Sequence, residues 1–422
     1  MLVSLEGIER LCYIMFNMDA LDKLTFSAQA MTFEAEGNHQ KSLTHERRSR
    51  GFTPAELRKN YGDNWENRKV HIDGRTIPVT NAVLSGSKRI PLLKAMLSTV
   101  CERDCHYCPF RAGSDFRRVT FTAEDMARTY YKLFQLRAVE GIFLSSGVVR
   151  GGTCTQSKLL DTAEILRHKL GYQGYLHLKI MPGVERDQIL QAMRLADRVS
   201  INLEAPSQNH LSHIAPMKEF QHELLQSLVW IEEIRQEHHP RQGWNHHWPS
   251  SSTQFVVGAT NESDVDILNL VDVLFHRVGL ARTYFEAFDP VPGTPLENKT
   301  PTDPLRQHRL YQASYLIRDY GFEFEEFSFS EDGFLPIERD PKTSYAQTAL
   351  VHTPVEINRA DRSLLLRVPG IGPKSATSIL KIRKDRCFRE LGDLRKIGVL
   401  AERAAPYITL DGQRPPSQLK LL

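Results

Sequence analysis

Between residues 90 and 330 the chain alternates short apolar runs with longer stretches of helical periodicity. The apolar runs are "LLKAMLSTV", "GIFLSSG", "YLHLKIMPG", "RVSINLEAP", "TQFVVGAT" and "RTYFEAFDPV". Helical spacing covers Thr122–Arg137, Ser157–Lys169, Arg186–Ala196 and Glu262–Val278, among other stretches. Parallel strands need a crossover between them, usually a helix, so this alternation predicts an α/β fold. Six such units read as a partial (β/α)6 TIM-like barrel. Its chemistry then belongs at the C-terminal ends of the strands, where the βα loops converge.

Outside the barrel the pattern changes. The opening "MLVSLEGIERLCYIMFNMDA" contains Glu6 and Glu9 and lacks a basic segment ahead of a clean apolar stretch. It is a poor signal peptide and reads as an amphipathic helix. The polar, turn-rich "SLTHERRSRGFTPAELRKNYGDNWENRKVHIDGRTIP" then wraps the barrel or is loosely ordered. A second irregular stretch, "QEHHPRQGWNHHWPSSS", precedes the fifth strand and holds His238, His239, His246 and His247 beside Trp244 and Trp248. Adjacent histidines on a loop point apart, so it reads as a surface insertion rather than a metal site. The expected organisation is an N-terminal helical or irregular extension over 1–85, the barrel over 86–335 and a linker over 336–354. A small all-α domain over 355–412 and a tail over 413–422 follow.

Of the 422 residues, 41% are hydrophobic and 25% charged, the balance of a globular chain of several domains. Charge is unevenly divided. Residues 355–422 carry 14 Lys/Arg against 7 Asp/Glu, whereas the remainder carries 40 against 44. A basic tail on a mildly acidic body suits a polyanionic partner, although a solvated basic face would look the same. No apolar run approaches the roughly 20 residues needed to cross a bilayer, so no membrane partner is expected. Three of the six cysteines fall in one decapeptide, which is not a disulfide framework; a reducing cytoplasm fits.

That decapeptide is "CERDCHYCPF", in which Cys101, Cys105 and Cys108 form C-x3-C-x2-C. Three thiolates from one tight loop can hold three irons of a [4Fe–4S] cube and leave the fourth open. A zinc knuckle is the alternative, but zinc wants four closed ligands and the only local fourth is His106. Cys12, Cys154 and Cys387 lie far apart, so a second cluster is not expected. Cys154, just beyond the second strand, reads either as a thiol near the reaction or as an ordinary loop thiol. Further polar residues stand at strand ends. His177 and Lys179 are two apart and share a face, as do Asn202 and Glu204.

The tail holds a second signal, "LLLRVPGIGPKSATSIL", which resembles a helix-hairpin-helix motif. Gly370 and Gly372 let the backbone turn tightly, so that the next helix presents its N-terminus to a phosphate, with Lys374 and Ser375 beside it. Such a contact reads backbone rather than bases and is salt-sensitive. "DLRKIG" is a weaker echo of the hairpin. A protein-docking module is the alternative.

Taken together, "CERDCHYCPFRAG", "GIFLSSGVVR", "GYLHLKIMPG", "VSINLEAPS", "STQFVVGAT", "HRLYQASYLIRDYGF", "DPKTSYA" and "INRADRSLLLRVPGIG" resemble radical S-adenosylmethionine (SAM) proteins with a C-terminal helix-hairpin-helix domain. That family is associated with DNA modification or repair. The resemblance covers roughly residues 80–412. It implies a radical SAM barrel with a [4Fe–4S] cluster on Cys101, Cys105 and Cys108. SAM would lie against Tyr107, Ser145, Ser146, Gly147, Lys179, Asn202, Glu204 and Gly258. It also implies DNA or RNA at Gly370, Gly372, Lys374 and Ser375, and an electron donor such as flavodoxin or ferredoxin. Serines stand where the family usually has glycines at 145 and 146, and no glutamate follows. Two other readings stay open: a nucleic-acid-binding protein with a structural or redox-sensing cluster, and a radical enzyme acting on a protein or small molecule.

Overall fold

The structure, a computed structural model, describes residues 18–31, 68–83 and 89–416. Nearly all of the helix expected at the start of the chain, and Cys12, lie outside these residues. The chain divides into two compact units, residues 1–261 with 278–302 and residues 262–277 with 303–422.

The first unit is built on one sheet of eight strands in sequential order, β1 to β8. β1 (Arg68–Ile72) and β2 (Arg75–Val83) form an antiparallel hairpin that adds to β3 (Arg89–Met96). From β3 onward every pairing is parallel, through β4 (Gly141–Ser145), β5 (Tyr175–Lys179), β6 (Arg198–Ser200), β7 (Ser250–Val257) and β8 (Arg282–Ala287). These six strands are the ones the alternation predicts. The hairpin is not. Its turn, Asp73-Gly74, has positive φ at both residues, the mirror-image turn that suits strand twist. This Asp-Gly signal sits in the stretch whose polarity suggested irregular structure.

Register fixes which side chains share a face. Leu93, Ala95, Ile142, Leu144, Leu176, Leu178 and Val199 share one face, are buried, and pack under the crossover helices. The helices follow from ordinary signals. α1 (Ala20–Ala30) is capped by Asp19, and Arg75 ties Asp19 and Asp22 together at 2.6 and 2.5 Å. Ser27 in α1 accepts from Met96 N at 2.6 Å, anchoring the exit of β3. α2 (Ala123–Gln135) begins at the Thr122 cap, has Glu124 and Asp125 in its first turn, and buries Met126, Tyr130 and Leu133. α3 (Gly151–Glu164), α4 (Arg186–Leu195), α5 (Gln208–Ile214) and α6 (Gln226–Glu237) complete the shell.

The histidine-rich insertion follows α6 as two short 3-10 turns. The Trp244 ring lies 3.9 Å from the buried Arg167 guanidinium, and Trp248 donates to His238 O at 3.1 Å. His239, His246 and His247 point to solvent. Trp244 and Trp248 fasten this loop.

The second unit is helical apart from a two-residue parallel bridge. It comprises α7 (Asp264–Arg277), α8 (Pro304–Tyr320), α9 (Pro341–Ala349), α10 (Arg362–Arg367), α11 (Pro373–Ile382), α12 (Leu391–Arg395) and α13 (Ala401–Ala404). β9 (Val355–Glu356) pairs with β10 (Ile408–Thr409) and closes the last of these helices into one core. No described helix is long and apolar enough to cross a membrane.

Candidate cluster site and nucleic-acid interface

The cysteine loop leaves the C-terminal end of β3 and is pinched at its base. Thr99 N donates to Val119 O at 2.9 Å and Phe121 N to Leu97 O at 2.9 Å. The Arg118 guanidinium then donates to four carbonyls, Thr99 O at 2.6 Å, Phe110 O at 2.8 Å, Arg111 O at 2.8 Å and Ser114 O at 3.2 Å. One planar fork thus holds both ends of the loop. Inside it, Cys108 N donates to Cys105 O at 3.1 Å and Ala112 N to Arg103 O at 2.8 Å. Arg103 pairs with Glu223 at 2.8 Å, and Glu102 accepts from Arg150 N and Gly151 N at 2.9 and 2.8 Å. Cys105 is buried, while Cys101 and Cys108 are partly buried against Phe110 and Phe143.

The neighbours of the loop come from the ends of the other strands. Glu204 follows β6 in a left-handed conformation, φ 66°, and bridges to Phe255 of β7. The simple strand alternation expected for Asn202 and Glu204 therefore stops short of Glu204. Lys218 bonds Glu204 Oε1 at 2.9 Å, and the buried Oε2 has no hydrogen-bond partner. Burial and the neighbouring Glu204 charge hold the Tyr107 phenol well above its usual range. Burial lowers the Lys218 ammonium, but Cys105 and Glu204 beside it outweigh that, so its pKa ends above the usual value. Tyr107, Glu204, Lys218 and Cys105 thus form one group. Lys179 and Asn202 form another, 2.5 Å apart.

The remaining predicted SAM contacts have structural tasks here. Ser145 is buried and its carbonyl accepts from Leu97 N at 2.8 Å. The Ser146 hydroxyl donates to Gly147 O at 2.8 Å. A Cβ on Gly147 would sit 2.2 Å from Val100 O, so only glycine lets this loop press against the start of the cysteine loop. Gly258 faces Thr302, whose hydroxyl donates to Val257 O at 2.8 Å. Cys154 lies in the first turn of α3 and Cys387 is exposed.

The thiols themselves report what the loop suits. Burial pushes Cys105 up, Lys218 opposes this, and Glu204 and Cys101 add to it. Burial also raises Cys108, with Cys105 repelling it. Cys105 and Cys108 therefore resist ionisation until cationic charge joins them. No three His, Cys, Asp or Glu groups converge on a single-ion site among the described residues. His106, the local candidate for a fourth zinc ligand, hydrogen-bonds His213 O through Nδ1 at 3.0 Å. An iron–sulfur cube asks for a different spacing, since each thiolate bonds its own iron. The loop fits that group. Lys218 and Arg118 carry no motif in the sequence, and the folded chain brings them to the loop.

In the second unit, α10 and α11 flank the hairpin. Gly370 has φ +90°, and a Cβ there would lie 2.4 Å from Leu400 O. That contact exists because Leu400 N donates to Gly370 O at 3.1 Å, joining the first hairpin to its "DLRKIG" echo. Gly372 is the N-cap of α11 and Lys374 is exposed in its first turn. Ser375 faces the other way. It is buried, and its hydroxyl donates to Gly398 O in the echo at 3.2 Å. Lys342 in α9 is buried and donates to Ile371 O at 2.6 Å.

Residues 351–406 match the family model of the helix-hairpin-helix motif. No curated protein matches the chain. Among solved structures, the chain is similar to methylornithine synthase (PylB), at 14% identity over 54% of this chain and 61% of that one, with a TM-score of 0.42. It is similar to the FeFe-hydrogenase maturase HydG from Carboxydothermus hydrogenoformans, at 14% identity over 54% of this chain and 51% of that one, with a TM-score of 0.43. It is also similar to the radical S-adenosylmethionine methyltransferase TsrM from Kitasatospora setae, at 12% identity over 57% and 42%, with a TM-score of 0.39. The chain spans about half of the length of these proteins. By its own strand order and motif match, it joins a six-stranded parallel β/α partial barrel to a unit carrying a helix-hairpin-helix motif.

Proposed function

We propose that this protein is a radical SAM enzyme that acts on nucleic acid. The observation that carries the reading is the cysteine loop, with C-x3-C-x2-C spacing, at the C-terminal end of the parallel sheet beside the half-paired, buried Glu204. Cys101, Cys105 and Cys108 would hold a [4Fe–4S] cluster. When bound with SAM, the cluster supplies an electron and, through SAM, a carbon radical able to take hydrogen from a substrate C–H bond. Glu204 accepts from SAM with its unpartnered oxygen, and Lys218 holds the other at 2.9 Å. Lys179 with Asn202 offers a donor to the SAM carboxylate. Tyr107 flanks the adenine, and the Phe110 and Phe143 cluster keeps water away from the thiolates. The electron comes from a donor such as flavodoxin or ferredoxin.

The second unit supplies the polymer. The hairpin and the exposed Lys374 contact DNA phosphates, with modification or repair as the outcome. A base in a duplex has to leave the stack to reach a barrel mouth, so unpaired sites are preferred.

Anaerobic reconstitution tests the first half. Wild type with dithionite and SAM forms 5′-deoxyadenosine, and Cys105→Ala forms none and lacks cluster absorbance; absence of SAM cleavage by the reconstituted wild type sinks the reading. Filter binding tests the second. Lys374→Gln weakens DNA binding for all sequences alike and lowers the salt slope by about one. A flat salt dependence in the wild type would instead mark a docking module.

A further inference from the structure

The cations of the second unit divide into two sets. Arg367 pairs with Glu326 at 2.5 Å, Arg403 with Asp340 at 2.8 Å, Arg395 with Glu402 at 2.7 Å and Lys396 with Asp393 at 3.3 Å. Lys374, Lys381, Lys384, Arg386 and Arg389 are exposed, and none of them has an ion pair among the described residues. This second set is contiguous. Steps of three, four and three residues put Lys374, Thr377, Lys381 and Lys384 on one face of α11 and its last turn, opposite the buried Ala376 and Ile379. Arg386 and Arg389 carry the charge on into the following loop, where the exposed carboxylates are Asp385 and Glu390. That loop is fastened from beneath. Phe388 is buried, its N donates to Asn358 Oδ1 at 2.8 Å, and its O accepts from Asn358 Nδ2 at 3.0 Å. Arg383 turns inward and donates to Ile357 O at 3.1 Å.

We propose that nucleic acid lies along this strip, from the hairpin over the exposed face of α11 to the loop that holds Arg386 and Arg389. This rests on the reading of the second unit as the nucleic-acid-binding part, and it carries the footprint past the hairpin. At 1.5 Å of rise per residue, Lys374 and Lys384 stand about 15 Å apart. A duplex strand carries one phosphate every ~3.4 Å of axis, so the strip faces several phosphates of one strand. Like charges three residues apart on a helix repel, as Lys381 and Lys384 do, and an anion from outside relieves that cost. A polynucleotide supplies negative charge at regular intervals along a line, which is the form of the strip. An acidic peptide carries its carboxylates on flexible stems that binding must order. The anchored loop holds its cations in place beforehand, which lowers the ordering cost on this side. Contacts of this kind reach phosphates rather than bases, so every sequence gains alike.

Filter binding of the full-length, anaerobically purified protein to a short mixed-sequence DNA duplex, over a series of salt concentrations, tests this. Lys381→Gln, Lys384→Gln and Arg386→Gln each lower the salt slope by about one. The triple variant lowers it by about three and weakens binding at least about tenfold. All three side chains are exposed, so the triple variant keeps the wild-type melting midpoint. Lys396→Gln, exposed but paired with Asp393, leaves the slope unchanged. Cys387 supplies a second readout. It is exposed within the strip, so bound DNA protects it from alkylation by N-ethylmaleimide, followed on its own peptide by mass spectrometry. Polyglutamate displaces the DNA far less well than competitor DNA of equal charge. A triple variant with the wild-type slope, Cys387 alkylated equally fast with and without DNA, or Lys396→Gln lowering the slope as far as Lys381→Gln would each overturn the proposal. Polyglutamate competing as well as DNA would overturn it in favour of an acidic protein. The underlying reading fails differently, through a wild type that shows no salt-dependent DNA binding. A slope lowered by Lys374→Gln but not by the triple variant keeps that reading and removes the strip.

Discussion

The two candidate sites strike different balances between side chain and backbone. The cysteine loop is held by side chains: Glu102 within it, Arg118 just beyond it, and Glu223 and the Lys218–Glu204 pair from far along the chain. The hairpin turns on a backbone contact, Gly370 O accepting from Leu400 N with no room for a Cβ, and the Ser375 and Lys342 side chains add to it. A side-chain scaffold fails one contact at a time, and the backbone beneath it survives. A backbone scaffold fails all at once, because the misfit atom cannot move without the turn.

The largest effect on stability should follow from that contrast at the hairpin. Gly370→Ala puts a Cβ 2.4 Å from Leu400 O at φ +90° and should cost about 3 kcal/mol. Chemical denaturation should show the loss, and DNA binding should fall with it. Near-wild-type stability would mean that the hairpin pair can relax, and the contrast would dissolve.

Arg118→Gln comes next. It strips charged donors from four carbonyls and should cost about 2 kcal/mol, while cluster content on reconstitution drops more steeply than the melting midpoint. Equal falls in both would mean that Arg118 serves the fold in general rather than this loop.

A smaller, pH-dependent effect sharpens the hairpin side. Burial, with help from Arg403 and against Asp340, pulls the Lys342 ammonium from 10.5 to about 7. Between those values the unfolded chain keeps a proton that the native protein releases, so stability rises with pH through this window. Below about 7 the full cost of burying the charge is present. Comparing denaturation at about pH 6 and about pH 9, Lys342→Met should lose that part of the rise. An unchanged slope would assign the rise to other groups.

Much of the fold was legible because each signal is local. Six apolar runs separated by helical stretches become β3 to β8, and C-x3-C-x2-C and "VPGIGPK" each sit within a few residues. The β1–β2 hairpin was legible too, through Asp73-Gly74, but the polarity around that pair masked it. Ser375 shows the limit from the other side. Its place at the start of a helix suggests a phosphate contact, yet its direction depends on where Gly398 comes to rest, 23 residues on.

By itself the sequence determined the strand alternation, the thiol spacing, the glycine turn and the split of charge between body and tail. Each is a property of neighbours along the chain, where steric and hydrophobic periodicities act directly. Only the tertiary structure decided which distant groups meet. It brought Lys218 to Cys105, placed Arg118 across the loop, and turned Glu204 to leave one oxygen unpaired. Those contacts depend on strand register and loop closure, which couple residues as far apart as Cys105 and Lys218 and leave no mark on either sequence neighbourhood.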